Sequence, residues 1–199
     1  MPRKTTPPEA WVDEASRLLA TGGPDAIRVE TIASRLGVTK GGFYWHFADR
    51  SALLQRVLDQ WERTSVDDVI TQVDHDATEP GARLRRLFDL ANVFAKAEDG
   101  LALELTIRDW ARRDRAVARR LRRVDSRRMA YLRSLFRELG LTDDDAEARS
   151  LLAFALFVGN PLIASSHDGR TRRQVVEQAL DGLLLAGPAK RSRSRQQPA

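Results

Sequence analysis

A short segment near the N-terminus combines a cation, a phenol and an imidazole in Lys40, Tyr44 and His46. Groups of this kind bond to phosphates or to the edges of bases, which is the chemistry of nucleic-acid contact. The adjacent Gly41 and Gly42 each cost about 1 kcal/mol relative to alanine inside a helix. That cost is explained if another molecule must approach the backbone closely. The alternative is an aromatic helical core with one satisfied histidine, so the neighbouring residues must decide.

Two short helices joined by a glycine turn are predicted to position this segment. Val29 begins the apolar stripe of the first helix, and Gly37 sits where a left-handed residue ends it. Thr39 offers an N-cap for a second helix that runs to about Phe47, and Asp49 can cap the helix that follows. The spacing predicts a helix-turn-helix motif whose second helix reads DNA.

Composition excludes several other classes of protein. The chain has 199 residues and no cysteine, which removes disulfides, thiolate metal sites and cysteine nucleophiles. Its three histidines lack metal-ligand spacing, and no glycine-rich phosphate loop follows a strand. The apolar run Leu151 to Val158 is far shorter than the ~20 residues of a membrane helix. We therefore expect a soluble cytoplasmic protein that is not an enzyme and that holds no metal or cofactor.

Positive charge is concentrated away from the helix-turn-helix motif. Residues 1–64 hold 9 Lys or Arg against 8 Asp or Glu, whereas Arg108 to Arg137 contains 12 arginines against three aspartates. Charge alone therefore cannot show nucleic-acid binding at the motif. The arginine-rich segment is either a solvated helix face or an anion-binding surface. A basic stretch at 188–199 has no apolar core and is predicted to be a disordered tail.

The rest of the chain is predicted to be helical, with no strand-like alternation. Apolar residues recur at three- and four-residue spacing, and glycine or proline breaks separate the segments. The run Leu151 to Val158 is apolar on all sides, so we expect that helix to be covered on every side. Together these patterns predict an all-α fold of about nine helices.

Several of these residues resemble a known family. The matching positions are Ile32, Ala33, Gly37 to Gly41, Phe43 to Phe47, Arg50, Leu53 and Leu54, which resemble the N-terminal domain of TetR-family transcriptional regulators. The resemblance is dense from Val29 to Leu54, and beyond Trp61 only the helical layout agrees. It implies a helix-turn-helix DNA-binding domain at 1–60 and a ligand-binding and dimerisation domain at 61–187.

The resemblance also implies roles for particular residues. The expected DNA-contacting residues are Thr31, Thr39, Lys40, Gly41, Gly42, Tyr44, Trp45, His46 and Arg50. Gly42 departs from the family, which often has a small hydroxyl or methyl residue there, so one possible base contact is lost. Trp45 is ambiguous, since its ring could pack on the first helix while its edge touches the DNA backbone.

A small-molecule ligand is expected among the middle helices. The candidate pocket residues are Phe88, Asn92, Trp110, Arg128, Tyr131, Phe154 and Phe157, chosen because large rings and one amide can line a cavity. Each could equally belong to a plain core. Arg128 interrupts an apolar stripe, so it needs either a carboxylate, for which Glu104 and Asp109 are candidates, or an anionic ligand.

The last two apolar segments have more apolar surface than one subunit covers, which favours a homodimer. The expected interface residues are Leu152, Leu156, Val176, Leu180, Leu183 and Leu184. The whole predicts a dimeric regulator, commonly a repressor in this family, that a ligand releases from a palindromic operator of double-stranded DNA. Two alternatives stay open: a helical sensor or scaffold without site-specific DNA binding, and a non-specific nucleic-acid binder that depends on the basic tail.

Overall fold

The computed structural model describes residues 6–96 and 100–185, so the predicted tail at 188–199 lies outside the described residues. Within those two ranges the chain forms nine α-helices and no strand, which confirms the predicted all-α class. No helix in the described ranges is both long and apolar enough to cross a bilayer.

The N-terminal motif consists of three α-helices and a 3₁₀ segment. Their bounds are α1 Pro8–Gly22, α2 Val29–Arg35, the 3₁₀ segment Lys40–Trp45 and α3 Arg50–Glu62. Gly37 adopts a φ of +67°, which confirms the left-handed turn between α2 and the 3₁₀ segment. The Asp49 carboxylate accepts a hydrogen bond from the Ala52 N–H at 2.8 Å, which confirms it as the cap of α3.

The second helix of the motif differs from the prediction. It is a 3₁₀ helix ending at Trp45 rather than a helix running to Phe47, and the Thr39 side chain makes no capping bond. Its turns close through i to i+3 bonds, such as the 2.9 Å bond from His46 N–H to Phe43 O. The two adjacent glycines lower the helix propensity of this short segment, which favours the tighter 3₁₀ turns over a regular α-helix.

The remaining helices follow a continuous extension of α3. Their bounds are a π-helical turn Arg63–Asp67, α4 Asp68–Asp76, α5 Pro80–Lys96, α6 Gly100–Ala111, α7 Arg115–Glu138, α8 Asp143–Gly159 and α9 Arg172–Leu185. The π-helical turn joins α3 to α4 without a break, so the N-terminal motif connects directly to the C-terminal helices. Single π turns inside helices occur frequently at functional sites.

Two apolar clusters form the core. The first cluster holds Trp11, Phe43, Trp61, Ile107, Val117 and Val124 among its members, and the second holds Leu84, Phe88, Leu132, Leu135, Phe136, Val176 and Leu180. Helix α7 contributes to both clusters, since Val117 and Val124 lie in the first and Leu132 and Leu135 in the second. Helix α6 and the first half of α7 therefore pack with the N-terminal helices. The domain boundary at residue 60 stays a prediction.

Helix α8 is not covered on every side within one chain, contrary to the expectation from its sequence. Ala146, Ser150 and Ala153 are buried, but Leu151 and Leu152 are 60% and 57% exposed. The cause is that α8 lies on α7 through its small-residue face. Leu151 and Leu152 therefore remain exposed on the surface of the single chain.

Candidate nucleic-acid interface and ligand cavity

Two buried rings anchor the 3₁₀ segment to the first cluster. Phe43 and Phe47 are almost fully buried, as predicted, and their rings stack with centroids 5.3 Å apart. Phe43 also meets the ring of Trp11 edge-on at 5.5 Å. Edge-to-face and stacked rings of this kind add to the energy of burial. The segment is therefore held in a fixed orientation on α1.

The two neighbouring rings point away from the core. Tyr44 is 56% exposed and Trp45 is 85% exposed. Burying a large apolar side chain contributes about 1.5–3 kcal/mol, so two adjacent exposed rings forgo a sizeable stabilisation. The edge of Tyr44 rests against Phe43, with ring centroids 5.2 Å apart. Tyr44, held against Phe43, and the exposed Trp45 thus form an aromatic surface available to another molecule.

The polar members of the predicted site are already engaged within the chain. The Lys40 ammonium pairs with the Glu30 carboxylate at the surface. That hydrogen bond lowers the pKa of Glu30 and raises the pKa of Lys40. His46 Nε2 lies 2.9 Å from the carbonyl oxygen of Thr6. Arg50 Nε donates to the Ile27 carbonyl at 2.6 Å, so its guanidinium holds the turn between α1 and α2.

The small residues of the predicted site surround the aromatic surface. Thr31 is half-buried on α2, while Thr39 and Gly41 are exposed at the start of the 3₁₀ segment. A Cβ on Gly41 would meet only the Thr39 hydroxyl at 3.8 Å, and one on Gly42 would meet the Trp11 ring at 3.7 Å. Both distances are ordinary contacts. Nothing inside the described chain therefore requires glycine at either position.

A cavity of about 90 Å³ lies among the π-helical turn, α4, α5, α7 and α8. Five predicted pocket residues line it: Phe88, Arg128, Tyr131, Phe154 and Phe157. Asn92 lines a separate small recess beside α9, and Trp110 packs against the first cluster instead. The π-helical turn contributes Thr64, Ser65 and Val66 to the wall. No sequence pattern indicated these three, because a π turn cannot be read from apolar spacing.

The polar groups beside the cavity already have partners. The Tyr131 hydroxyl donates to Asp74 at 2.6 Å. Burial and this hydrogen bond to a carboxylate raise the pKa of Tyr131. The hydroxyls of Thr64 and Ser65 donate to backbone carbonyls of Gln60 and Trp61. The free surface of the cavity is therefore largely apolar.

A buried charge network lies next to the cavity, between the two clusters. Glu104 is 3% exposed and accepts hydrogen bonds from Arg128 at 2.9 and 3.1 Å and from the Trp61 indole at 3.0 Å. Arg108 donates to Glu104 at 2.9 Å and to Asp125 at 2.8 and 3.0 Å. Of the two predicted partners of Arg128, Glu104 is confirmed, while Asp109 pairs with Arg113 instead.

This network sets the ionisation of Glu104. Burial alone would raise the pKa of Glu104, but the charges and hydrogen bonds of Arg128, together with Arg108, outweigh burial and lower it. The Arg128 guanidinium also lies 5.8 Å from the ring centroids of Trp61 and Phe157. Trp61 belongs to α3 and Phe157 to the cavity wall, so one side chain contacts both regions.

The residues expected at a dimer interface lie in two environments. Leu152 is exposed on α8, whereas Val176 and Leu180 are buried in the second cluster of their own chain. The others, Leu156, Leu183 and Leu184, are partly buried against that cluster.

Comparison with known proteins identifies the N-terminal part of the chain. Residues 12–57 match the profile of the bacterial regulatory proteins of the tetR family. This N-terminal segment is similar to the TetR family. Over 79 residues it is 32% identical to the HTH-type transcriptional regulator AcrR of Shigella flexneri, a stretch that is 40% of this chain and 35% of AcrR. The sequence match to that relative thus spans about a third of its length.

Solved structures extend the similarity over nearly the whole chain. A TetR transcriptional regulator from Legionella pneumophila aligns with a TM-score of 0.73 at 14% identity, covering 92% of this chain and 98% of that one. The structure of AibR in complex with isovaleryl coenzyme A and operator DNA aligns with a TM-score of 0.66 at 17% identity, covering 89% and 97%. At these identities the similarity shows that the chain shares their fold.

Proposed function

We propose that this protein is a DNA-binding transcriptional regulator that uses the 3₁₀ segment and the start of α2 to recognise its operator. The observation that carries the proposal is the aromatic surface of Tyr44 and Trp45, exposed on a segment that buried Phe43 and Phe47 hold in place. The family match over residues 12–57 supports it, as does the operator DNA bound by AibR.

The polar residues act in two ways in this mechanism. Tyr44 and the Thr39 hydroxyl contact the DNA backbone, and Lys40 exchanges Glu30 for a phosphate. His46 and Arg50 bond to the backbone carbonyls of Thr6 and Ile27. They therefore position the 3₁₀ segment, which we call the reader segment, more than they contact DNA. Gly41 allows the DNA backbone to approach the segment closely, whereas Gly42 faces the Trp11 ring.

The assembly we propose is a homodimer on a palindromic operator. The exposed face of α8, with Leu151 and Leu152, is the apolar surface that a second copy would cover. Two-fold symmetry then places the two readers in successive major grooves, about one helical turn apart. The protein acts as a repressor in the cytoplasm.

Release from DNA is proposed to follow ligand binding in the cavity. AibR binds isovaleryl coenzyme A, which supports a ligand response in this fold. Here the cavity wall includes Ser65 and Val66 of the π-helical turn, which continues α3. A ligand lowers operator affinity only if it binds the non-binding arrangement of the readers more tightly. A shift of the π-helical turn would make the ligand affinity differ between the DNA-binding and non-binding arrangements.

The first experiment measures binding to a fluorescent duplex from upstream of the protein's own gene, and to a scrambled duplex, across a salt series. We expect at least 10³-fold preference for the operator, and a loss of about 10-fold or more in Tyr44→Ala through a missing phosphate contact. Tyr131→Phe, which changes a distant ring, is the matched control and keeps full affinity. A chain lacking residues 188–199 tests the tail-driven alternative.

Equal affinity for all duplexes calls for a selection from random sequences, because the operator could lie elsewhere. If no sequence is enriched, or if Tyr44→Ala binds the selected site like wild type, the proposal is wrong. Preference that disappears with the tail would favour the non-specific binder. Sedimentation tests the dimer: Leu152→Asp should give monomers, whereas Trp45→Asp, an exposed change of the same kind, should not.

A further inference from the structure

The nine arginines of helix α7 lie in different electrostatic environments. Arg120, Arg123 and Arg127 face α3 and the π-helical turn, where each pairs with an acid: Asp59, Glu62 or Asp67. Four other guanidiniums, those of Arg112 in the turn before α7 and of Arg115, Arg119 and Arg122 on α7, make no ion pair or hydrogen bond with the described part of the chain. The chain thus pairs the arginines on one face of α7 with acids. It leaves Arg115, Arg119 and Arg122 without acidic partners among the described residues.

The unpaired arginines crowd one another. Arg115, Arg119 and Arg122 lie at i, i+4 and i+7, so they share one helix face and span about 10 Å at 1.5 Å per residue. Like charges at this spacing destabilise a helix. A surface that needed only solubility could interleave acids, as the Asp59 to Asp67 side does. Bound anions would relieve this repulsion.

An open groove of about 560 Å³ runs between α6 and α7 beside this face. Its floor is apolar, formed by Ala111, Ala118, Leu121 and Met129. Of the four arginines that line it, Arg108 and Arg133 are neutralised by Asp125 and Glu147. Arg112 and Arg122 are the two that have no acidic partner among the described residues. The groove therefore presents two free guanidiniums above an apolar surface.

We propose that this groove binds a nucleoside diphosphate. Guanidinium groups bind phosphate oxygens through two parallel hydrogen bonds, and two of them match a ligand with two phosphates. The apolar floor suits the flat face of a base. A duplex fits less well, because the phosphates on its outer surface would leave the apolar floor of this open groove without a partner. The groove is separate from the enclosed cavity of the proposed inducer, with which it shares no wall residue.

Calorimetric titration of the full chain with ADP, and separately with inorganic pyrophosphate, at fixed ionic strength tests this site. We expect saturable binding of ADP, and a Kd raised at least 10-fold in the double variant Arg112→Gln, Arg122→Gln. The matched control is Arg113→Gln with Arg137→Gln, which removes the same charge at exposed positions outside the groove and should change the Kd less than 3-fold. Thermal unfolding should not occur at a lower temperature in the groove variant, since neither arginine has a partner to lose and the loss of Arg122 relieves repulsion on α7.

Three results would overturn the proposal. The first is no saturable ADP binding, and the second is an equal loss in both double variants, which would mean general charge attraction. The third is pyrophosphate binding as tightly as ADP, because the floor would then contribute nothing. Duplex binding that weakens in the groove variant alone, with ADP binding unchanged, would assign the arginines to DNA instead. Operator recognition by Tyr44 does not depend on any of these outcomes.

Discussion

The two apolar clusters differ in how completely the chain closes them. The first contains the largest fully buried side chains, including Trp11, Trp61 and Phe43, and its member Val66 reaches the wall of the 90 Å³ cavity. The second borders the 90 Å³ cavity and lies under a helix that exposes Leu151 and Leu152. The first cluster holds the reader segment in place through Phe43 and Phe47. In the proposed function, a ligand and another copy of the chain complete the second cluster.

Between the clusters the contact is polar. Glu104, Arg108, Asp125 and Arg128 form one bonded group, and Trp61 of α3 joins it through its indole N–H. Apolar contacts tolerate small slides, whereas a bonded charge network has a defined geometry that must break to change. A polar junction therefore suits two regions that switch between discrete arrangements. The following predictions test this contrast, from the largest effect to the smallest.

Loss of Glu104 should have the largest effect on stability. Glu104→Ala leaves Arg128, whose side chain is only 11% exposed, without its main carboxylate and with Asp125 no nearer than 3.6 Å. Removing one member of a buried pair typically costs about 3–5 kcal/mol, because a buried charge is left uncompensated. Urea unfolding measures the loss. Asp109→Ala on the same helix breaks an exposed pair with Arg113 and should cost less than about 1 kcal/mol.

Equal losses of unfolding free energy in these two variants would mean that the charge network contributes no more than a surface ion pair. The idea of a polar junction between the clusters would then be wrong.

Acid should weaken the junction in a direction fixed by the pKa of Glu104. That pKa is lowered in the folded chain from an ordinary value of 4.5, so the unfolded chain binds more protons. The stability it contributes is complete above pH 4.5 and is lost as pH falls through the folded pKa. Glu104→Gln removes this titration, so its unfolding free energy should fall less steeply below pH 4.5 than that of wild type. Parallel slopes would show that other carboxylates dominate.

Replacing one alanine with leucine in each cluster should change the unfolding free energy in opposite directions. Ala15 is fully buried in the first cluster, and Ala15→Leu should cost about 1–3 kcal/mol through overpacking. Ala91 lines the cavity, and Ala91→Leu should fill space and stabilise by about 0.5–2 kcal/mol. Thermal and urea unfolding compare them. Destabilisation of the same size at both sites would mean that the second cluster is as tightly closed as the first.

The same contrast explains what could be predicted from sequence. The reader region is local: Gly37, Thr39 to His46 and Asp49 lie close together in the chain, so turn and cap rules place them, and Phe43 and Phe47 are assigned to the core by spacing alone. The 3₁₀ form of the segment was missed because propensity scales do not distinguish 3₁₀ from α-helix in six residues. The long-range bonds of His46 and Arg50 were also missed.

In the C-terminal region spacing identified helices but not their neighbours. Arg128 was recognised as a misplaced charge in an apolar stripe, and Glu104 was one of two partners considered. The arginine-rich segment resolved into a paired face and an unpaired face only once α3 was placed beside α7. Pairing across about 60 residues of sequence depends on tertiary packing, which periodicity does not contain. Asn92 and Trp110 show the same limit, because large side chains were not enough to locate the cavity wall.

The smallest predicted effect tests whether the reader segment is held by its rings rather than by its cap. Asp49 caps α3 through Ala52 N–H, so Asp49→Ala should cost about 0.5–2 kcal/mol. Thr39 occupies the equivalent position before the 3₁₀ segment but makes no capping bond, so Thr39→Ala should change the unfolding free energy by less than about 0.5 kcal/mol. Urea unfolding at neutral pH measures both.

If Thr39→Ala proved as costly as Asp49→Ala, the segment would depend on a cap after all. If it left stability unchanged and weakened operator binding, the hydroxyl would be exposed for DNA, and the closed first cluster would position the reader without its help.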